Sequence, residues 1–221
     1  MLLQVNQLEN WSYIASIVGV LVAIIAALGG VVKYFREKKD KEYERYIEER
    51  RNKRDKLTET YNELLKIIYL FPNKTPYDVM TNLPFSPGFN REDFDTVNRT
   101  LAIQIKDDYQ KRLERKGLTY KDEEEIKTEI RNRECYIKEI EEIKNQYFLA
   151  KKEYERFRST DKIIELYASQ DVKNCLVEFD VTWHSAFIAG RHLEYNDGRN
   201  NKLNDIRWEL EQVIRADLGI I

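Results

Sequence analysis

The segment NWSYIASIVGVLVAIIAALGGVV, residues 10–32, contains no charged side chain, although Asp, Glu, Lys and Arg make up 34% of the chain. As an α-helix rising about 1.5 Å per residue it reaches roughly 34 Å, enough to cross a hydrocarbon core of about 30 Å. The alternative is a cleaved signal peptide, which has a basic start and a shorter apolar core. Because residues 1–10 contain no Lys or Arg, we predict an uncleaved transmembrane helix over 11–35, preceded by an external tail over 1–10.

Basic residues follow the uncharged segment and do not precede it. Lys33, Arg36, Lys38 and Lys39 come directly after it, so the positive-inside rule predicts a cytoplasmic C-terminal side. These four side chains are candidates for contact with anionic lipid headgroups. Residues 33–56 hold eleven basic and seven acidic side chains, so an ion-paired, solvated helix surface is the alternative.

Small residues recur at every fourth position of the uncharged segment, at Ala15, Gly19, Ala23 and Ala27. Small side chains allow two membrane helices to approach closely, which favours their association. The alternative is that Ala and Gly are simply frequent in membrane helices. We predict self-association of the chain through this stripe, and therefore a homo-oligomer in the lipid bilayer.

Apolar residues recur at helical spacing through the rest of the chain, which predicts one cytosolic helical domain over 36–221. After the membrane, a heptad seam consists of Tyr43, Ile47, Arg50, Arg54, Leu57, Tyr61, Leu64, Ile68 and Phe71. Arginine at two seam positions either ends tight packing there or sets the register and size of an oligomer. Further helices are predicted over 91–116, 119–158 and 160–168, from Ser169 to about 187, and around 203–213.

The predicted fold is therefore all-α, with one N-terminal transmembrane helix continuing into a cytosolic bundle of about five helices. The helix over 119–158 is longer than a compact bundle needs, so we expect part of it to form a long coiled-coil-like hairpin. All four prolines lie in one extended loop over 72–90. Loops of this length are often functional, whereas Phe85 and Phe89 are also suited to pin the loop to the helices.

Motifs that carry recognisable chemistry are missing from the sequence. It has no GxxxxGK[ST], GxGxxG, HExxH or GxSxG pattern. Its two histidines, His184 and His192, are predicted to lie on one helix in structural or surface roles, and Cys135 and Cys175 are predicted to be reduced thiols. We therefore predict no enzymatic activity, no catalytic residue, no metal site and no cofactor, and we do not expect a nucleic-acid partner.

Two short stretches carry a resemblance to known proteins. Residues 166–172 (LYASQDV), Phe179 and residues 214–219 (IRADLG) resemble a pattern in bacterial membrane proteins that couple an N-terminal span to a helical cytosolic domain. The genes of such proteins are found near phage-defence and mobile elements. The whole layout is also similar to the membrane accessory proteins of type VI-B CRISPR systems, which have one N-terminal span and a degenerate helical nuclease-like domain and assemble into a membrane pore.

The resemblance implies a bacterial inner-membrane protein with its N-terminus outside and its C-terminal domain in the cytoplasm. We expect a self-associating, single-pass protein that acts as an antiviral-defence effector and perturbs or permeabilises the membrane. The alternative is a membrane-tethered helical scaffold or regulator that binds a cytosolic protein partner through its long helices and proline-rich loop.

Overall fold

The computed structural model describes residues 2–160, 162–195 and 200–220, and for 2–18, 20–29 and 31–32 it describes the backbone alone. The described residues form helices, turns and one isolated antiparallel bridge, without any β-strand. For this part of the chain, the prediction of an all-α fold is confirmed.

The first helix, α1, extends over Leu2–Leu70 and confirms that one helix runs from the uncharged segment almost to Pro72. The chain divides into two compact units, Met1–Arg54 and Asp55–Ile221, so the division falls inside α1. Among the described residues, no helix combines the length and apolar character that a membrane crossing requires. The predicted span, 11–35, falls mainly on residues whose side chains lie outside the described part, and it stays a prediction.

At its C-terminal end, α1 is closed by a buried arginine. Pro72 cannot continue the helix, because it has no N–H and its ring clashes with the preceding turn. Arg207, from the last helix α8 (Lys202–Asp217), is 2% exposed and donates to the carbonyl oxygens of Ile68, at 3.0 Å, and Phe71, at 2.6 Å. Burial lowers the pKa of Arg207 to about 10, so the guanidinium stays charged at neutral pH. The cation faces the negative end of the α1 dipole, which offsets its desolvation.

The predicted helices agree with the observed ones to within a few residues at most ends. The remaining helical segments are α2 (Pro76–Val79), α3 (Phe94–Ile103), a π-helical segment (Gln104–Tyr109), α4 (Gln110–Leu113), α5 (Tyr120–Thr160), α6 (Ile163–Tyr167) and α7 (Gln170–Phe187). Ser169 caps α7 as predicted, since its hydroxyl accepts the N–H of Val172. One correction concerns the loop over 72–90, which contains the single-turn helix α2, because Thr75 and Asp78 form a capping box around Pro76.

An aromatic cluster around Phe71 forms the centre of the core in the unit that begins at Asp55. The Phe71 ring lies 5.2 to 6.3 Å, centroid to centroid, from the rings of Tyr147, Tyr154, Phe179 and Trp183. The heptad seam of α1 joins this core from Leu57 onward and is exposed over 33–54. The first turns of α5, 120–132, contribute no buried residue, and the coiled-coil description of this region stays a prediction.

Candidate functional site

The side chains predicted to act at the membrane are described only in part. Those of Ala15, Ala23 and Ala27 lie outside the described residues, and a Cβ built on Gly19 meets nothing within 4 Å. The predicted headgroup-contact residues Lys33, Arg36, Lys38 and Lys39 are all solvent-exposed. Lys33 pairs with Glu37 at 3.9 Å, which agrees with the ion-paired alternative at that position.

The proline-rich loop both pins itself to the helices and presents an aromatic ring. Phe89 is 1% exposed and packs against Phe94 with ring centroids 4.9 Å apart. Phe85, only four residues earlier, is 88% exposed. The pinning interpretation therefore holds for Phe89, and Phe85 is available to a partner.

Polar side chains from two helices hold the backbone around Phe85. The carbonyl oxygen of Pro84 accepts from the guanidinium of Arg133 at 3.2 Å, and that of Phe85 accepts from the amide of Gln104 at 2.9 Å. Phe85 itself has φ of +58°, a left-handed conformation that costs a non-glycine residue on the order of 1–3 kcal/mol. The two hydrogen bonds stabilise this conformation.

Arg133 on α5 contacts the loop tip, the part of the proline-rich loop that carries Pro84 and Phe85. Its side chain is 1% exposed, and it donates to Glu129 at 2.5 Å and to the side-chain oxygen of Gln104 at 3.1 Å. Its guanidinium also lies 4.2 Å from the centroid of the Tyr109 ring, a cation–π distance. These contacts hold the Arg133 side chain in place. The loop is therefore hydrogen-bonded to a buried cation that has several other partners.

The π-helical segment explains how Gln104 and Tyr109 both reach Arg133. Residues five apart in an α-helix differ in direction by about 140°, since 3.6 residues complete one turn. Hydrogen bonding from i to i+5 widens the turn, so the first and last residues of Gln104–Tyr109 come to nearly the same side. The widened turn therefore places one ligand above and one beside the same guanidinium.

A second polar cluster surrounds Asp78 of α2, whose side chain is fully buried. Its carboxylate accepts from the backbone N–H and the hydroxyl of Thr75, both at 2.8 Å. It also accepts from the backbone N–H groups of Leu193, at 3.2 Å, and Glu194, at 3.4 Å. Its fifth neighbour is the Nδ1 atom of His192, at 3.0 Å. Asp78 therefore joins α2 to the segment that follows α7.

The segment after α7 corrects the prediction for the two histidines. Because α7 ends at Phe187, His184 lies on the helix and His192 lies outside it. The chain turns away at Gly190, which has φ of +69° and would place a Cβ 1.9 Å from the carbonyl oxygen of Phe89. Only glycine fits this conformation at this approach.

Two strained residues cap the end of α7. Arg91 and Glu92 have φ of +52° and +60°, and their N–H groups donate to Ile188 and Phe187 at 2.8 and 2.9 Å. Carbonyl groups in the last turn of a helix have no partner within the helix, so these bonds satisfy them. The strain in the loop is thus offset by the hydrogen bonds that cap the end of α7.

The side chain of Glu92 lies in a third polar cluster. Its Oε1 atom accepts from Tyr147 and from Lys151, both at 2.6 Å. Burial opposes ionisation of Glu92, but the hydrogen bonds from Lys151 and Tyr147 and the charges of Lys151 and His184 outweigh it and lower its pKa. Burial and the bond to Glu92 raise the pKa of Tyr147 far above its usual value. The cluster therefore consists of a carboxylate, an ammonium and a neutral phenol.

Asp217 connects the two stretches that carry the sequence resemblance. Its carboxylate accepts the backbone N–H of Ser169 at 3.3 Å and the hydroxyl of Tyr61. Gly219 then ends α8 in a Schellman motif, with its N–H bonded to Ala216 and that of Ile220 to Arg215. The pattern therefore has a structural role, since it holds the ends of α7 and α8 to α1.

Sequence reasoning missed the partners that Arg133, His192 and Glu92 have in distant parts of the chain. A signal was present only for Asp78, because Thr75-Pro-Tyr-Asp78 has the capping-box pattern with proline at the first helical position. The approach of residues 192–194 to that carboxylate produces no periodic pattern in the sequence. The exposure of Phe85 produces none either.

No protein family matches the chain, and neither the curated proteins nor the solved structures gave a significant match.

Proposed function

We propose that the chain is a single-pass membrane protein whose helical unit binds a cytosolic protein partner through the exposed ring of Phe85. The observation that carries this proposal is the display of that ring at 88% exposure on a strained backbone held by Arg133 and Gln104. The proposal corresponds to a membrane-tethered scaffold or regulator, and self-association through α1 accompanies it.

The energetics of Phe85 favour a binding role. Burial of a phenylalanine side chain stabilises a protein by roughly 1.5–3 kcal/mol, and the isolated chain does not gain this. Aromatic anchors that enter a pocket on the partner commonly dominate the energy of an interface. The flanking Pro84 and Pro87 restrict the loop, and a loop already held in its bound shape loses less entropy on binding. The partner surface is therefore expected to contain an apolar pocket of aromatic size.

Two observations support the membrane tether and self-association. The backbone of α1 is helical without interruption from the uncharged segment to the core, so a span over 11–35 would be joined to the helical unit by a continuous helix. Within Met1–Arg54, the aromatic and aliphatic residues Tyr43 and Ile47 are exposed at seam spacing. An exposed heptad seam favours pairing with a second copy of the same helix.

Site-specific photocrosslinking in cells tests the partner surface. A photoreactive benzoylphenylalanine replaces Phe85 in one variant and Leu166, which is 70% exposed, in the control. We expect one discrete adduct with a second protein from position 85 and none from position 166. The adduct should disappear when Arg133→Met is added, because the loop is then no longer held. Equal adducts from both positions, or none from position 85, would refute the partner surface.

Membrane extraction tests the anchor separately. Lysine at the centre of a membrane helix costs about 2.5–3.5 kcal/mol on the insertion scale. Ile24→Lys with Ile25→Lys should therefore move the chain into the soluble fraction after alkaline extraction, and Tyr43→Lys, outside the predicted span, should leave it in the membrane. If the double variant remains membrane-bound, the uncharged segment is not the anchor.

Permeabilisation is the alternative function, supported by the small-residue stripe and by the sequence resemblance. Dye uptake after induced expression distinguishes the two functions, because a scaffold leaves the membrane intact. If dye enters and Gly19→Leu with Ala23→Leu abolishes the entry, the effector function replaces the scaffold. Intact membranes during phage challenge would leave the scaffold as the proposal.

A further inference from the structure

A cavity of about 570 Å³ lies beside α2 and the segment that follows α7. Its lining includes Tyr77, Gly190, Arg191, His192, Tyr195 and Lys202. This volume is within the usual range for small-molecule sites. The cavity is distinct from the loop tip that carries Phe85.

The buried carboxylate of Asp78 orients the ring of His192 at this cavity. A carboxylate accepts hydrogen bonds only, so Nδ1 of His192 carries the proton in the 3.0 Å contact. The His192 side chain is 49% exposed, and among the described residues its Nε2 atom has no protein partner. The hydrogen bond to Asp78 fixes the orientation of the His192 ring at the edge of the cavity.

Two cations lie at the same cavity. Lys202 donates to the carbonyl oxygen of His192 at 3.3 Å, which places its ammonium group beside the histidine. Arg191 precedes His192 and carries a guanidinium suited to paired hydrogen bonds with oxyanions. Glu194 also lines the cavity, and Lys74, 3.8 Å from its carboxylate, also lies 3.7 Å from that of Glu139. The lining holds two cations, Arg191 and Lys202, against the one carboxylate of Glu194, so it favours an anion.

An aromatic face completes the site. The Tyr77 ring lies 5.2 Å from that of His192, centroid to centroid, and both belong to the lining. Tyrosine side chains pack against flat aromatic groups. An anion that also carries an aromatic ring therefore matches the cavity better than inorganic phosphate does.

We propose that this cavity binds a phosphomonoester, with Arg191 and Lys202 on the phosphate, Tyr77 against an attached aromatic base and His192 beside them. A nucleoside monophosphate combines both features. The phosphate of phosphatidic acid is a second source of the same chemistry, and the two sources differ in whether an aromatic group is present.

Nuclear magnetic resonance of the full chain in detergent micelles tests the site directly. With histidine labelled with carbon-13, the two histidines give two ring signals, and His184→Gln assigns them. We expect adenosine monophosphate to shift the His192 signal saturably and to leave His184 unchanged, and adenosine without phosphate to shift neither. Dihexanoyl phosphatidic acid is the lipid arm.

Matched arginine variants separate a built site from general charge attraction. Arg191→Gln should raise the dissociation constant of adenosine monophosphate about tenfold, the size of one lost charge-assisted hydrogen bond pair. Arg215→Gln, an exposed arginine on α8, should leave it unchanged. A His192 signal that no phosphomonoester shifts, equal shifts of both histidines, or equal weakening by both variants would overturn the proposal. A response to phosphatidic acid alone would support the phosphate site and exclude the nucleotide.

Discussion

Different interactions stabilise two regions of the molecule. One region is the helical core around Phe71, and the other consists of the mostly non-helical segments 72–93 and 188–194. In the core, the ring of Phe71, directly after α1, meets aromatic rings on α5 and α7. In the irregular segments, buried Asp78 and Arg133 bind backbone groups of loops from a distance along the chain. Apolar periodicity therefore builds the bundle, whereas single polar side chains shape the loops at its surface.

The largest expected effect comes from breaking the apolar region. Phe71→Ala removes a ring that contacts four others, so we expect a loss of about 3–5 kcal/mol in the free energy of unfolding. Urea unfolding of the full chain in detergent, followed by circular dichroism, measures it. Leu70→Ala, at a half-exposed position one residue earlier, is the control and should cost much less. Equal losses would mean that Phe71 is not the centre of the core.

A substitution in the polar region should lower the free energy of unfolding by less, and its effect should be local. Arg133→Met removes the bonds to Pro84 and Gln104, so we expect a loss of about 2–3 kcal/mol in the free energy of unfolding. Arg131→Met, two residues earlier on the exposed side, should change it by less than about 0.5 kcal/mol. Hydrogen exchange should show faster exchange around residue 85 in Arg133→Met alone. Unchanged exchange there would show that the loop keeps its shape without the arginine.

The pH dependence of the free energy of unfolding should distinguish the polar cluster at Glu92 from the rest of the surface. Because the folded-state pKa of Glu92 lies below its ordinary value of 4.5, the ionised form stabilises the fold. This contribution is complete above about pH 4.5 and is lost as the pH falls through the lower, folded-state pKa. Wild type should therefore exceed Glu92→Gln in unfolding free energy by about 1–2 kcal/mol at neutral pH, and the gap should close in acid.

The matched control for this titration is Asp95→Asn, which breaks an exposed ion pair with Lys144. Exposed pairs contribute little, so its difference from wild type should be smaller than that of Glu92→Gln at neutral pH. A gap for Glu92→Gln that stays constant down to strong acid would contradict the role of the ionised carboxylate.

The smallest expected effect on stability belongs to Phe85. Phe85→Ala removes an exposed ring and should change the free energy of unfolding by less than about 0.5 kcal/mol. Phe89→Ala, in the same loop, removes a buried ring and should cost about 3–5 kcal/mol. A large loss from Phe85→Ala would mean that the ring supports the fold, and the partner surface would then lose its basis.

Most of the bundle could be predicted from the sequence because its signals are local. The stripe on α3, the spacing on α5 and the caps at Ser169 and Gly219 each lie within a few turns of helix. The end of α1 was predicted from Pro72 alone, although Arg207 also contributes to it.

The surface clusters could not be predicted in the same way. Asp78 and His192 are separated by 114 positions, and only the folded chain brings them together. The conformation of the backbone around Phe85 depends on Arg133. That arginine is buried, although the charge pattern of its helix predicts a solvated side chain. A buried arginine and an exposed one look the same in a helix that is rich in charged residues. The predicted anchor, stripe and headgroup contacts stay predictions.

The π-helical segment has a consequence for the number of residues that this helix can contain. Losing one residue between Gln104 and Tyr109 would let the turn revert to α-helical hydrogen bonding. The two ends of the segment would then be four α-helical steps of about 100° apart, a net rotation of only about 40°. Gln104 and Tyr109 would therefore stay on nearly the same side, and the contact of Tyr109 with Arg133 would be kept. We therefore expect a single-residue deletion here to be tolerated better than a deletion inside the α-helical turns of α3.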